Sequence, residues 1–292
     1  MKPLFGPAGN SEEFYSLGYK ATIQAMGFLE KKGLDAYEYQ CGRGVNIKEE
    51  TARALGQKAK EHGIAVSLHA PYYTSLNSPD EQKRLNSVRY IIDSCRAVDW
   101  MGGNRVVVHP GGLGKMTRRD ATDLAKTTIN LLIDELKNQS LDHIHVCFET
   151  MGKVNQLGDM DEIIEFCAMD ESFYPCVDFG HLNARTHGGC STGKQFKEVF
   201  DRVEASLGAE RSRHMHCHFS KIEYSKGGEV RHLTFEDDHF GPDYKPLMEE
   251  VYRRGAYPVF ICESAGTQSQ DSLDMKRFYK GLAAENAAAN VF

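Results

Sequence analysis

The chain has 292 residues, with 35 Lys and Arg against 41 Asp and Glu, a net charge of −6 at pH 7. Hydrophobic residues at 41% and charged residues at 26% exclude wholesale disorder, and no run approaches the roughly 18 consecutive apolar residues of a membrane span. A surface this acidic argues against a protein that binds nucleic acid by diffuse phosphate attraction alone.

Short β-rich runs are predicted at 3–8, 35–40, 64–69, 105–109, 143–149, 174–178, 213–219 and 258–263. They alternate with helical spacing over 11–32, 48–62, 80–101, 117–138, 159–169, 193–207, 243–254 and 271–288. The run RVVVHP is apolar enough for a parallel strand covered on both faces. Segment 117–138 sets Leu124, Ile129, Leu131, Leu132, Ile133 and Leu136 along one broad stripe. Eight strand–helix units over this length predict an α/β fold, a (β/α)8 TIM barrel forming a single domain over 1–292. A doubly wound open sheet would carry a glycine-rich phosphate loop after an early strand, and the GPAG ending the first strand falls short of that pattern.

The eight cysteines are scattered without a C-x-x-C pair, and the opening MKPLFGPAGNSEEFY lacks the apolar segment of a secretory signal. The sequence therefore reads as a cytoplasmic protein with reduced thiols, expected to be monomeric and away from membranes.

In such barrels chemistry gathers at the C-terminal ends of the strands. Strand three ends in His69, strand four in His109, strand five in Glu149 and strand six in Asp178, with His181 three residues on. Strand seven ends in His218 and strand eight in Glu263, and a long loop after strand seven adds His232. A lone strand-end histidine is more often a satisfied hydrogen-bonding residue than a ligand. Thus His143 and His145 open strand five at the stability end, and His214 and His216 lie deeper than His218 on the same face. The ring as a whole is different. Three carboxylates with no strand-end Lys or Arg to pair them cannot all stay ionised unless a cation sits among them. Imidazole with carboxylate suits zinc, manganese or iron. Eight candidate ligands favour two or three ions, and clustered ions are the usual apparatus for displacement at phosphorus. Lys221, just past His218, is a candidate phosphate contact.

In their order on these strands, H-A-P-Y-Y, V-V-V-H-P-G-G, F-E-T, V-D-F-G-H, H-F-S-K and C-E-S resemble the endonuclease IV family, apurinic/apyrimidinic endonucleases with a trinuclear zinc site in a TIM barrel. The resemblance implies cleavage of damaged double-stranded DNA 5′ to abasic sites, with two or three Zn2+ ions and Mn2+ or Fe2+ as alternatives. It implies that His69, His109 and Glu149 hold a first ion. Glu149, Asp178, His218 and Glu263 would hold a second, and His181 and His232 a third. Glu263 would also position the attacking hydroxide, which with Glu149 makes the catalytic pair. Tyr72 and Tyr73 match, by position, residues that the family pushes into the duplex, and Arg43 is a looser match.

The chain departs from the family in the loop GGEVRHLTF, where Val230 stands in place of an Asp that completes the third site. Glu229 by a shift of register, or Asp237 or Asp238 by folding back, would have to replace it. The glycine-rich stretch after His232 and the opening His of the family are also missing. A rival resemblance is to sugar isomerases and epimerases similar to xylose isomerase and tagatose 3-epimerase, which hold one divalent ion with Glu, Asp, His and Glu on strands five to eight. Glu149, Asp178, His218 and Glu263 satisfy that pattern, whereas His69, His109 and His232 would be surplus to it.

Overall fold

The structure is a computed structural model and describes residues 1–289. Its strands are β1 (Leu4–Pro7), β2 (Ala36–Gln40), β3 (Ala65–His69), β4 (Arg105–Val108), β5 (His145–Glu149), β6 (Tyr174–Asp178), β7 (His216–Phe219), β8 (Ile222–Ser225), β9 (Gly228–His232) and β10 (Val259–Cys262). Among the described residues, eight of these pair in parallel in the order β1-β10-β7-β6-β5-β4-β3-β2. The two ends of that row meet. Asp35 N donates to Phe5 O and Gly9 N to Glu38 O, both at 2.9 Å, with a parallel bridge between Ala8 and Glu38. The sheet is therefore closed into the expected (β/α)8 barrel.

Side chains alternate along each strand with a period of two. Phe5, Tyr37, Val66, Leu68, Val106, Val108, Val146, Phe148, Val177, Phe219 and Phe260 belong to the large outer core beneath the helices. The intervening positions line the barrel, where Val107, Cys147, Tyr174 and Cys176 pack together and Ala36, Val259 and Ile261 form a second small cluster. At the N-terminal end of the strands, buried Arg105 donates to the His214 carbonyl at 2.7 Å, and His145 contacts the Ser172 carbonyl at 3.1 Å. The opposite end is left for polar groups.

Three features differ from the sequence expectation. The segment 11–32 is not one helix but Glu12–Ser16, a 3-10 turn at Thr22–Gln24 and Ala25–Lys32. Gly18 takes φ +87°, and the Gln24 side chain accepts from Lys20 N and Ala21 N, which starts the second helix afresh. In helix Arg118–Asn138 the buried stripe is Ala121, Ala125, Ile129, Leu132 and Leu136, while Leu131 faces solvent. The segment after β7 is an antiparallel hairpin, β8–β9, rather than an open loop.

The seam between β1 and β2 depends on Gly6, where any Cβ would lie 1.8 Å from the Ala36 carbonyl oxygen. Gly6→Ala forces the two strands apart. It should lower unfolding free energy by about 3 kcal/mol or more, read as a lower denaturant midpoint at unchanged slope.

Candidate metal centre

The polar mouth is built around Glu149, the last residue of β5, whose side chain is fully buried. Its Oε2 lies 2.8 Å from His109 Nε2 and 3.3 Å from His69 Nε2. Its Oε1 lies 3.1 Å from His218 Nδ1 and 3.3 Å from His181 Nδ1. Glu263 reaches the same ring, with Oε1 3.5 Å from His218 Nδ1. Asp178 ends β6 and has two duties. Its Oδ1 accepts from His181 N at 2.7 Å and caps the unpredicted short helix Phe179–Arg185, while its Oδ2 is buried without a hydrogen-bond partner.

Backbone carbonyls orient two of the rings. His69 Nδ1 is 2.7 Å from the Ala70 carbonyl and His181 Nδ1 is 2.9 Å from that of Thr150. Each carbonyl can only accept, so each Nδ1 carries the proton and each Nε2 lone pair points elsewhere. His69 Nε2 faces Glu149, and His181 Nε2 lies 3.5 Å from Glu229 Oε2.

Burial opposes charge on every group here, yet the rings and carboxylates support each other. Against its burial, His69 is pushed up to about 9 by the Glu149 carboxylate. Glu149 is held well below the carboxylate range, against burial, by His218 and His109. Glu263 is likewise lowered to about 2, chiefly by His218. Asp178 goes the other way, raised by burial, which His181 only partly offsets.

Donor atoms within 4.8 Å of one another form the sets His69–His109–Glu149, Glu149–Asp178–His218–Glu263 and His181–Glu229–His232. Glu149 is common to the first two. An orphaned buried carboxylate oxygen, converging imidazole lone pairs and a mixed N/O donor set all fit divalent cations.

The third set forms because of a bulge. Between β8 and β9, Glu223 faces Arg231 while Tyr224 faces Glu229, so Val230 has no partner in the register. Strict alternation would place residue 230 beside His232. The extra residue instead turns Glu229 inward and leaves Val230 half exposed. Glu229 N donates to Gly152 O at 3.0 Å, and a Cβ on Gly152 would lie 2.6 Å from Glu229 Cβ and 2.9 Å from His181 Cδ2. A glycine there admits the hairpin. Asp237 does not fold back into the site; its Oδ1 accepts from His239 N and Phe240 N.

A cavity of about 310 Å³ opens onto the ring, lined among others by Gly42, Tyr72, Lys153 and Gln156. Tyr72 is exposed at its edge, and Tyr73 packs edge-on against Tyr72 and Tyr90 at 5.6 and 5.3 Å. Arg43 is exposed on the turn beyond Gly42. Lys221 is not brought to this cavity. Its Nζ donates to the Asp237 carbonyl, and it lines a separate cleft with Asp243, Asp271 and Asp274. Lys153, carried on the loop after β5, stands at the mouth instead. Sequence reasoning missed Lys153 and also Glu38, which lies beneath His218 with Oε1 3.1 Å from its Nε2. Counting back by two from Gln40 at the rim would have placed Glu38 inside the barrel. A larger cleft of about 550 Å³, lined by Arg53, Lys60, Asp99 and Trp100, lies beside Ile64–Val66 at the other end of β3 and contains none of these ring residues.

A family model described as xylose isomerase-like TIM barrel matches residues 27–280. An uncharacterized protein of Methanocaldococcus jannaschii is 34% identical over 275 residues, covering 94% of this chain and 96% of its own. A probable endonuclease 4 of Mycobacterium tuberculosis is 26% identical over 262 residues, covering 86% and 93%. Among solved structures, a D-tagatose 3-epimerase-like protein superposes with a TM-score of 0.73 at 18% identity, covering 97% of this chain and 99% of its own. Endonuclease IV from Thermus thermophilus superposes with 0.62 at 17% identity, covering 97% and 100%. At these identities the superpositions show the fold.

The bulge makes a separable prediction. Glu229→Gln should lower the divalent-metal content by about one ion per chain, because the third set then keeps only two good ligands. Val230→Asp, on the outward side, should leave the content unchanged. Elemental analysis of both variants against wild type reads the outcome; a rise with Val230→Asp would mean that the strand re-registers.

Proposed function

The chain belongs to the xylose isomerase-like TIM-barrel family, and from that premise we propose that it is a zinc-dependent phosphodiester hydrolase that incises double-stranded DNA 5′ to abasic sites. It acts as a cytoplasmic monomer. The observation that carries this reading is the junction of three donor sets over one cavity, the first two sharing Glu149 and the third set beside them through His181.

In this reading His69, His109 and Glu149 hold one ion, Glu149, Asp178, His218 and Glu263 a second, and His181, Glu229 and His232 a third. Ions bound there supply Lewis-acid charge to the phosphate oxygens and lower the pKa of water toward neutrality. The chain's own groups do the rest. Glu263, held in its charged form by His218, opens partly to the cavity, so it can accept a hydrogen bond from a water and orient it. Lys153 meets a substrate phosphate at the mouth, the role expected of Lys221 from the sequence. Tyr72, and Tyr73 braced on Tyr90, offer aromatic edges to neighbouring bases, with Arg43 near the backbone. A cavity of about 310 Å³ admits a sugar and its phosphates. An abasic nucleotide stacks poorly, so extruding it from the helix costs less than flipping an intact one.

Sugar isomerisation or epimerisation is the second reading. It rests on the four-donor set Glu149–Asp178–His218–Glu263. It leaves His69, His109, Glu229 and His232 without a role in the chemistry, and four converging groups outweigh it.

Zinc-loaded protein should nick a duplex carrying one abasic site on its 5′ side and spare the intact duplex. Glu263→Gln, assayed at saturating zinc, should lower the rate by about 10²–10⁴. One Mn2+ per chain, with ketose turnover and no nicking, would overturn the proposal.

A further inference from the structure

Beneath the metal centre the barrel holds a second charged layer. Glu38 on β2 is fully buried, and it is ringed by groups able to donate. Ser67 Oγ donates to its Oε2 at 3.0 Å, and His216 Nε2 lies 2.8 Å from the same oxygen. Gln40 Nε2 donates to Oε1 at 3.1 Å. His218 Nε2 lies 3.1 Å from Oε1, off the line of a hydrogen bond and with no other partner among the described residues. The other nitrogen of that ring, Nδ1, is at hydrogen-bond distance from Glu149 Oε1, 3.1 Å, and lies 3.5 Å from Glu263 Oε1. A cation held by these carboxylates would take the place of a proton there. His218 thus stands between two carboxylate layers, one at the mouth and one below it.

We infer that Glu38 is a positioning residue for the metal centre: it holds His218 with the proton on Nε2 and so leaves the Nδ1 lone pair free to ligate. The inference rests on the reading of Glu149, Asp178, His218 and Glu263 as an ion site, and on neither substrate. A bare Nε2 lone pair at 3.1 Å from a carboxylate oxygen would be repelled, while a proton there is attracted. The opposite tautomer would aim an N–H at the cation. A carboxylate behind a ligating imidazole also raises its basicity. The surroundings require an acceptor at both oxygens of residue 38. Oε2 serves Ser67 and His216, and Oε1 serves Gln40 and faces His218 Nε2 at 3.1 Å. A glutamine there would turn an NH2 toward one of the two imidazoles and oppose the tautomer it needs. His216 gains a function by the same argument. It shares Oε2 with Ser67 and fixes the carboxylate plane.

One competing use of this layer must be separated. Cys176, His216 and His218 have donor atoms within 4.8 Å of one another, so His218 Nε2 could itself meet a cation from below. Cobalt distinguishes the two arrangements, because a thiolate ligand adds a charge-transfer band that N/O ligands lack.

The test is a titration of metal-free protein with Co2+, followed by calorimetry and visible absorption. Glu38→Gln should weaken Co2+ binding by about 10–100-fold and shift the d–d bands, while Ser67→Ala, which keeps the charge, should change affinity by less than about tenfold. Should Glu38→Gln fail to fold, imidazole nitrogen NMR of the zinc-loaded wild type serves instead; it should show His218 protonated at Nε2 and zinc-bound at Nδ1. The reverse pattern, or a cobalt–thiolate band, would overturn the inference. So would equal affinity and spectrum in wild type and Glu38→Gln, with the centre itself left standing. A wild type that takes up no cobalt would overturn the centre and the inference together.

Discussion

Glu149 is a fully buried carboxylate touching four imidazoles, and the arrangement of the mouth follows from it. Placing a carboxylate at this depth alone would be prohibitively costly. Here His69 arrives from β3, His109 from the end of β4, His218 from β7 and His181 from the helix after β6. No two come from the same strand. The charge is therefore compensated only when the barrel is closed in its correct register, which ties folding of the sheet to assembly of the site. Breaking one member would leave an uncompensated charge, so the ring is as much a constraint on the fold as a consequence of it.

The barrel and the hairpin contribute differently. Strand ends fix the first two donor sets, and their positions follow from parallel pairing such as Asp178 opposite His218. The third set is added by β9, held against the loop after β5 through Gly152, Lys153 and Val154. Without that hairpin the mouth would still hold the two strand-end sets, His69–His109–Glu149 and Glu149–Asp178–His218–Glu263. The hairpin after β7 thus adds donors to a barrel that is complete without it, consistent with function residing in the site rather than in the fold.

Much of this was legible in the sequence because strand termini are local. An apolar run that stops at His or Glu announces both its direction and its rim residue, and His69, His109, Glu149, Asp178, His218 and Glu263 all converge as that pattern implies. What could not be read depends on geometry that the pattern does not encode. The bulge at Val230 cannot be told from GGEVRH, although Glu229 was a candidate once Val230 was seen to be unable to ligate. Lys221 follows a strand end yet turns away to Asp237, and Lys153 lies in a loop whose path is set by Arg185 binding the carbonyls of Met151 and Lys153. Glu38 sits below the rim, where strand ends give no signal, although the alternation that names His218 also places a residue two steps below every rim position.

The acidic balance of the chain and a DNA substrate are compatible once charge is counted locally. A net charge of −6 repels a duplex, but at 0.1 M salt that repulsion is largely screened beyond about 10 Å. Within that distance the proposed cations and Lys153 face the phosphate, while the carboxylates of the ring are neutralised by what they bind. On the proposed function, affinity would come from a few contacts at one lesion and not from a basic track along the helix. Such a protein should bind undamaged DNA weakly, so its selectivity must come from the mouth. There, on the same reading, the exposed edge of Tyr72, the turn at Gly42 and Lys153, which line the cavity over the ring, would decide which sugar enters.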